Sequence, residues 1–125
     1  MTNPTPDTKK LDKRGLPAPL KTAAKAALDK KAEDLRILDL RATSAFTDFF
    51  IIMHGNSGRQ NAAIAEAIED ALKKAKIRPL GVEGKAHGEW ILLDYGAFII
   101  HVFSRAARDY YAMEKLWADA PRASY

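Results

Sequence analysis

The chain has 125 residues, a length that fits one domain whose core needs no covalent cross-links. It has no cysteine, which excludes disulfides and thiol chemistry, and no apolar run near the ~20 residues of a membrane span. The net charge of +4 is uneven, because residues 1–31 carry eight Lys and Arg against three Asp (+5), whereas residues 32–125 carry 12 against 13 acidic residues (−1).

The positive charge gathers in a predicted N-terminal leader. Residues 1–16 are rich in Pro, Thr and Lys, show no helical or strand periodicity, and lack the apolar stretch of a signal peptide. We interpret them as a disordered, basic leader that favours solubility, with contact to RNA phosphates as the alternative. The lack of cysteine and of a signal peptide is compatible with a cytoplasmic protein.

Residues 17–120 are predicted to form the folded domain, which opens with a helix and two strands. Ala and Leu recur at helical spacing from Pro17 to Lys31 and predict an amphipathic helix. Leu35–Leu40 is a short strand, and Asp48–His54 is a strand with two apolar faces. Because only a strand covered on both sides is apolar on both faces, the second strand is predicted to be central.

A second helix and three more strands follow. Ser57 and Gln60 have the spacing of a capping box, so the helix is predicted to begin here and to end before Pro79. Residues 80–82 form a short strand, and residues 89–103 form a hairpin that turns at Asp94–Ala97. Arg105–Ala118 then has the pattern of a third helix.

The order of these elements predicts the class of fold. The succession αββαβββα indicates a single α/β domain with a mixed five-stranded sheet flanked by helices. A strand, a Gly-rich turn and a helix at Ile52–Gln60 are also the arrangement of a phosphate-binding loop in nucleotidyltransferase-like folds. The loop matches neither of the glycine-rich phosphate motifs, so we interpret it as a capped helix start.

Catalytic groups are poorly supported by the spacing of polar residues. Two-metal phosphoryl transfer needs carboxylates on one face of adjacent strand positions, and no such pair is present. The three histidines are far apart and have no partner at the spacing of metal ligands. The sequence therefore predicts a protein without metal, cofactor or catalytic site, with a nucleotidyltransferase-type enzyme that uses Gly55–Gln60 as the alternative.

The hairpin is the strongest candidate for a recognition surface. The residues that alternate across its first strand are Trp90, Leu92 and Asp94 on one face and Ile91, Leu93 and Tyr95 on the other. Both faces are largely apolar, so Trp90 is either core beneath a helix or an anchor for a partner. The nearby carboxylates of Glu83, Glu89 and Asp94 suit a basic partner.

Several blocks of the chain together resemble one family, the ribosomal silencing factors or Iojap-like proteins. The resemblance covers roughly residues 18–118, in order and with natural spacing. The blocks are Thr47–Gln60, then Pro79–Gly84 with Glu89–Gly96, and finally His101–Phe103 with Arg108–Tyr111 and Glu114–Trp117.

The resemblance implies a function. Members of this family have a fold similar to nucleotidyltransferases, are not known for that catalysis, and tend to form homodimers. They bind the large ribosomal subunit through large-subunit protein fourteen, block joining of the small subunit and lower translation when nutrients are short. The basic leader is then a candidate for contact with ribosomal RNA. On this basis, the residues predicted to contact the ribosomal protein are Trp90, Leu92, Asp94, Tyr95, Glu83 and Asp48.

Two departures from the family pattern concern charge. Ala97 stands where the family usually has Asp after the Tyr-Gly turn. Lys85 and His87 lie between Gly84 and Glu89, where the family often has an acidic residue. We therefore expect this chain to rely on Trp90 and Tyr95 more than on acidic charge.

Overall fold

The structure is a computed structural model that describes residues 10–43 and 45–125. Its helices and strands agree with the predicted order up to the C-terminal segment. The bounds are α1 Ala18–Asp29, β1 Glu33–Asp39, β2 Phe49–Gly55, α2 Gly58–Lys74, β3 Gly81–Glu83, β4 Trp90–Asp94, β5 Phe98–Ser104, α3 Arg105–Tyr111, α4 Met113–Leu116 and β6 Arg122–Ser124.

The sheet is mixed and has the strand order β3-β4-β5-β2-β1-β6. Strands β2 and β5 are parallel, whereas the other neighbouring pairs are antiparallel. All seven residues of β2 are buried, so the predicted central strand is confirmed. Among the described residues, no helix is both long and apolar enough to cross a membrane.

Helix α2 begins where the sequence predicts and packs against the sheet. The hydroxyl of Ser57 accepts a hydrogen bond from the backbone N–H of Gln60 at 3.1 Å, as an N-cap residue does. Ile64, Ile68 and Leu72 recur at helical spacing and are fully buried. They join α1 in covering one face of the sheet, which we call the helical face.

The other face of the sheet is covered only in part. Most of its core residues come from β1, β2 and β5, Leu40 and Ala120 complete the cluster, and partly buried residues of the C-terminal segment pack on it. Met113 and Trp117 of this segment contact that cluster, whereas α1 and α2 contribute nothing to it. We call this the open face, because the side chains of Trp90 and Leu92 at its β4 end stay partly accessible.

The C-terminal segment differs from the predicted fold in two ways. The predicted helix Arg105–Ala118 is divided at Ala112, which adopts the left-handed conformation with φ 46° and separates α3 from α4. The predicted five-stranded sheet has six strands, because Arg122–Ser124 pairs with β1. A three-residue strand has too little pattern to be seen in a sequence, since its pairing is decided by a distant partner.

The predicted leader lies mostly outside the described residues, since residues 1–9 are not among them. Its last part contacts the fold: the backbone N–H of Leu11 donates to the carbonyl of Arg122 at 2.9 Å. Leu16 is buried in the core beside α1. Residues on both sides of the predicted bounds 17–120 therefore pack on the domain. The disorder of the leader stays a prediction.

Candidate docking surface

Strand β4 presents two different faces, as the sequence predicts. Its burial alternates, with Ile91 and Leu93 fully buried against the helical face and the residues between them only partly buried. Trp90 and Leu92 belong to the open face, where the C-terminal segment does not cover them completely. Leu92 lies opposite the exposed Glu83 of β3, and cross-strand partners share a face.

By strand alternation Asp94 lies on the same face of β4 as Trp90 and Leu92, and Glu83 of β3 lies opposite Leu92, so these four side chains form one row on the open face. We call the row Glu83, Trp90, Leu92 and Asp94 the open strip. It combines an aromatic ring and an aliphatic side chain with two carboxylates. This composition, apolar in the middle and acidic at the edge, is typical of a surface that binds a partner with basic groups around an apolar centre.

Trp90 is surrounded by aromatic rings. Its ring centroid lies 5.0 Å from that of Phe103 and 4.6 Å from that of Tyr111 in α3. Tyr111 is 48% exposed and Tyr110 82% exposed, so this aromatic cluster reaches the surface beside the open strip. Aromatic pairs at these distances stabilise each other, and they hold Trp90 in place without burying it completely.

His101 of β5 anchors the same ring through a hydrogen bond. Trp90 Nε1 donates to His101 Nδ1 at 3.0 Å. The ring of His101 is only 3% exposed, and burial lowers its pKa from 6.5 to about 4. The imidazole is therefore neutral at physiological pH and keeps the lone pair that the indole N–H needs.

The structure does not bring all six predicted contact residues together. Tyr95 packs on the helical face, where its ring stacks on buried Phe98 at 4.9 Å with the ring planes 12° apart. Burial raises the pKa of Tyr95 to about 12. Asp48 is exposed just before β2, and its backbone N–H donates to Ala97 beyond the end of β4. Of the predicted residues, only those of the open strip therefore form one surface.

The acidic groups around the hairpin have different roles. Asp94 accepts a hydrogen bond from the N–H of Gly96 at 2.8 Å, which shapes the turn. Glu89 accepts from the hydroxyl of Ser104 at 2.7 Å and so joins the start of β4 to the cap of α3. Lys85 forms an ion pair with Glu69 of α2 at 2.6 Å. Because Lys85 is held on α2, it weakens the acidity of the open strip less than its position in the sequence suggests.

The loop Gly55–Gln60 uses its polar groups inside the protein. The N–H of Asn56 donates to the side chain of Gln60 at 2.7 Å, and Gln60 in turn donates to carbonyls of Lys30 and Lys31. A side chain on Gly58 would lie 3.0 Å from the carbonyl of His87 in the loop between β3 and β4, so this position is closely covered. The loop joins the end of α1, the start of α2 and the β3–β4 loop, and these contacts favour the interpretation of a capped helix start.

A polar cleft of about 440 Å³ lies beneath α3 and α4. At its wall, Arg108 donates two hydrogen bonds to Glu114 at 3.1 and 2.9 Å and one to Nδ1 of His54 at 3.0 Å. Arg36 of β1 also donates to Glu114 at 3.0 Å. Burial alone would raise the pKa of Glu114, but the hydrogen bonds and charge of the two arginines outweigh it and lower the pKa.

The buried charges of this cleft therefore satisfy one another. Their arrangement fastens the C-terminal segment to the sheet and leaves no buried cation ready for a ligand. In the part of the chain that the structure describes, no three His, Asp or Glu side chains come close enough together to hold a metal ion.

The neighbours of Trp90 are not predicted by the sequence pattern. The register of a hairpin follows from the residues that close its turn, and here Tyr95 and Phe98 close it, one residue later than the predicted turn at Asp94–Ala97. Trp90 therefore pairs with Phe103 and Leu92 with His101, whereas the predicted turn would have paired Trp90 with His101. The contact with Tyr111 has no such signal, because it depends on how α3 folds back over the sheet.

Comparison with known proteins identifies relatives of the whole domain. A family model described as "Ribosomal silencing factor during starvation" matches residues 14–125. A protein of Bacillus subtilis named "Ribosomal silencing factor RsfS" is 45% identical over 104 residues, which cover 83% of this chain and 88% of that protein. A mouse protein named "Mitochondrial assembly of ribosomal large subunit protein 1" is 30% identical over 91 residues, covering 70% of this chain and 40% of that protein.

The fold is also found in solved structures. The crystal structure of a protein from Chromobacterium violaceum matches with a TM-score of 0.78 and 37% identity. The match covers 80% of this chain and 83% of that one. A second crystal structure, of a protein from Bacillus halodurans, matches with a TM-score of 0.74 and 38% identity and covers 85% of this chain and 96% of that one.

Proposed function

The chain belongs to the ribosomal silencing factor family, and from this membership we propose that it silences translation by binding the large ribosomal subunit. The contact is proposed to be with large-subunit protein fourteen, and the bound protein blocks joining of the small subunit when nutrients are short. The name of the mouse relative, which refers to assembly of the ribosomal large subunit, supports the choice of subunit. The proposed location is the cytoplasm, in keeping with bacterial relatives such as the silencing factor of Bacillus subtilis.

The observation that carries this proposal is the open strip. A sheet that has one face covered by helices and the other face covered only in part leaves apolar side chains accessible to a partner. Trp90 and Leu92 supply that area here, and they are held by a rigid strand rather than by a loop. Aromatic anchors at protein interfaces contribute about 2–4 kcal/mol each when they are buried by a partner.

The charge of the open strip indicates the chemistry of the partner. Glu83 lies opposite Leu92 in the paired strand β3, and Asp94 lies two residues beyond Leu92 on β4. Rim carboxylates attract basic groups and set the rate and orientation of association more than the final affinity. A basic surface on a ribosomal protein, with an apolar patch at its centre, fits this arrangement.

We propose that the role is binding without catalysis. The polar groups of Gly55–Gln60 are engaged inside the protein, which supports this view over a nucleotidyltransferase. Isothermal titration with ATP, CTP and Mg²⁺ tests it. We expect no saturable heat of binding, and binding of a nucleotide at physiological concentration would restore the catalytic alternative.

Co-sedimentation with purified large subunits tests the contact surface. Trp90→Ala removes the anchor and is expected to weaken binding about 30- to 1,000-fold, which corresponds to ~2–4 kcal/mol. Leu28→Ala is the matched control, because Leu28 is a partly exposed apolar residue on α1, across the sheet from the open strip. A folded Trp90→Ala protein that sediments with large subunits as well as the Leu28→Ala protein would show that the contact lies elsewhere.

The free protein is proposed to be a homodimer, as the family resemblance implies. A second copy that covers the open strip would shield the apolar side chains of Trp90 and Leu92 from water. Sedimentation velocity of the wild type and of Leu92→Asp measures this directly, since a carboxylate placed in a dimer interface should shift the equilibrium to monomer. A dimer that survives Leu92→Asp unchanged would place the interface on another surface.

A further inference from the structure

The indole N–H of Trp90 is used inside the protein. It donates to His101 Nδ1 at 3.0 Å. In the strand register Trp90 lies opposite Phe103, and His101 is two residues further along β5, so the indole reaches diagonally across the sheet. Because an indole N–H can only donate, Nδ1 of His101 must be the acceptor, and the proton of the neutral imidazole is on Nε2.

His101 is itself fixed by its neighbours. Its side chain is buried beneath the open face, with the ring of Phe50 nearly perpendicular at 4.7 Å and that of Phe103 nearly parallel at 5.9 Å. An acceptor held between two buried rings does not need to be ordered when a hydrogen bond forms. The donor, Trp90, is the partly accessible member of the pair, so the bond orders the residue that a partner would contact.

We propose that His101 is a positioning residue for docking: it holds the indole of Trp90 in one orientation and satisfies its N–H, so that a partner meets a preorganised apolar ring. This inference rests on the proposed function, because it takes Trp90 as part of the contact surface. Side chains that are ordered before association lose less entropy when they bind. The partner therefore needs apolar groups opposite Trp90 and no hydrogen-bond acceptor.

Two substitutions of His101 separate its hydrogen bond from its packing. His101→Phe keeps a ring between Phe50 and Phe103 but removes the acceptor. His101→Asn keeps an acceptor close to the position of Nδ1 but loses most of the ring. Positioning through the hydrogen bond predicts that large-subunit binding weakens about 3- to 10-fold in the Phe variant and by less than about twofold in the folded Asn variant. A role in packing alone predicts the opposite order, and that order would overturn the proposal.

A double-mutant cycle decides the matter even if the Asn variant does not fold. Binding to large subunits is measured for His101→Phe, Trp90→Phe and the pair. If His101 acts through the indole N–H, His101→Phe weakens binding in the wild type but adds nothing in the Trp90→Phe background. Equal effects in both backgrounds would show that His101 acts without Trp90, and this result would overturn the proposal.

The hydrogen bond also has a signature independent of the ribosome. In ¹H–¹⁵N spectra, the indole N–H of Trp90 should exchange slowly with solvent in the wild type and much faster in His101→Phe, while that of Trp117 serves as the reference. The same set of variants separates the two proposals. Full binding by Trp90→Ala contradicts the proposed contact surface, whereas lost binding by Trp90→Ala together with full binding by His101→Phe contradicts only the positioning role.

Discussion

Gly88, in the loop that leads into β4, is a residue whose replacement should cost substantial stability. It has φ +71°, and an ideal Cβ there would lie 2.5 Å from Cα of Gly58, at the start of α2. The carbonyl of Gly88 also accepts a hydrogen bond at 2.7 Å from the buried side chain of Asn61. This contact between two backbones fixes the loop that leads into the open strip against α2.

The size of the effect follows from these contacts. A left-handed conformation costs a non-glycine residue roughly 1–2 kcal/mol. A Cβ at 2.5 Å from backbone must push the two segments apart, which stretches the hydrogen bond from Asn61 and adds about 1–3 kcal/mol for its buried amide. We therefore expect Gly88→Ala to lower the free energy of unfolding by about 2–5 kcal/mol.

Urea denaturation at constant protein concentration measures this value. Gly15→Ala is the matched control, because no atom lies within 4 Å of the Cβ it would carry. The control should change stability by less than about 1 kcal/mol. A loss below about 1 kcal/mol for Gly88→Ala would contradict this expectation, since it would mean that the loop and α2 separate at little cost.

Three further predictions concern single side chains. Burial lowers the pKa of His101 from 6.5 to about 4, so the unfolded chain binds the proton first and the free energy of unfolding should fall as the pH falls from about 6.5 to about 4. Urea denaturation at pH 7.5 and pH 5 should show a loss near 2 kcal/mol that is absent in His101→Phe. An equal loss in the wild type and in His101→Phe would show that another group causes it. Ala112→Gly removes the strain of an alanine at a φ of 46° and should raise the melting temperature by about 3–5 °C. Ala63→Gly, within α2, is the control and should lower the melting temperature. A lower melting temperature for both variants would exclude strain at Ala112. Ala97→Asp should tighten binding to large subunits by about 2- to 5-fold at low salt, with the gain lost at high salt, and an unchanged affinity would show that the turn does not face the partner.

Much of the fold could be predicted from local patterns. The seven buried residues of β2 form a continuous apolar run, and Ser57 caps α2 as its spacing indicates, because both features depend on neighbours in the sequence. The break at Ala112 could not be predicted, since alanine favours a helix and the tertiary contacts of Arg108 with Glu114 override that preference.

The candidate surface was predictable only in part. Strand alternation correctly separated Trp90 and Leu92 from Ile91, and the structure confirms two different faces of β4. Alternation also placed Tyr95 on the face opposite Trp90, so the expectation that both aromatic residues contact one partner conflicts with the strand geometry. The role of His101 depends on an exact cross-strand distance, which no periodicity reveals.

Because these two aromatic residues lie on opposite faces of the sheet, they cannot contribute equally to binding of one partner. Tyr95 is engaged with Phe98 on the helical face, so Trp90 is left as the aromatic anchor of the open strip. Leu92 adds aliphatic area beside it, and Glu83 and Asp94 supply charge at the edge. We therefore expect binding to depend strongly on Trp90 and moderately on salt.

A subunit-joining assay measures directly whether the bound protein keeps the small subunit from joining the large subunit. Purified large subunits are incubated with the protein, small subunits are then added, and the fraction of joined ribosomes is measured by sedimentation. The account predicts that the wild type and Leu28→Ala reduce joining in proportion to the protein bound, while folded Trp90→Ala leaves joining close to the level without protein. Undiminished joining with large subunits saturated by the wild type would contradict the account.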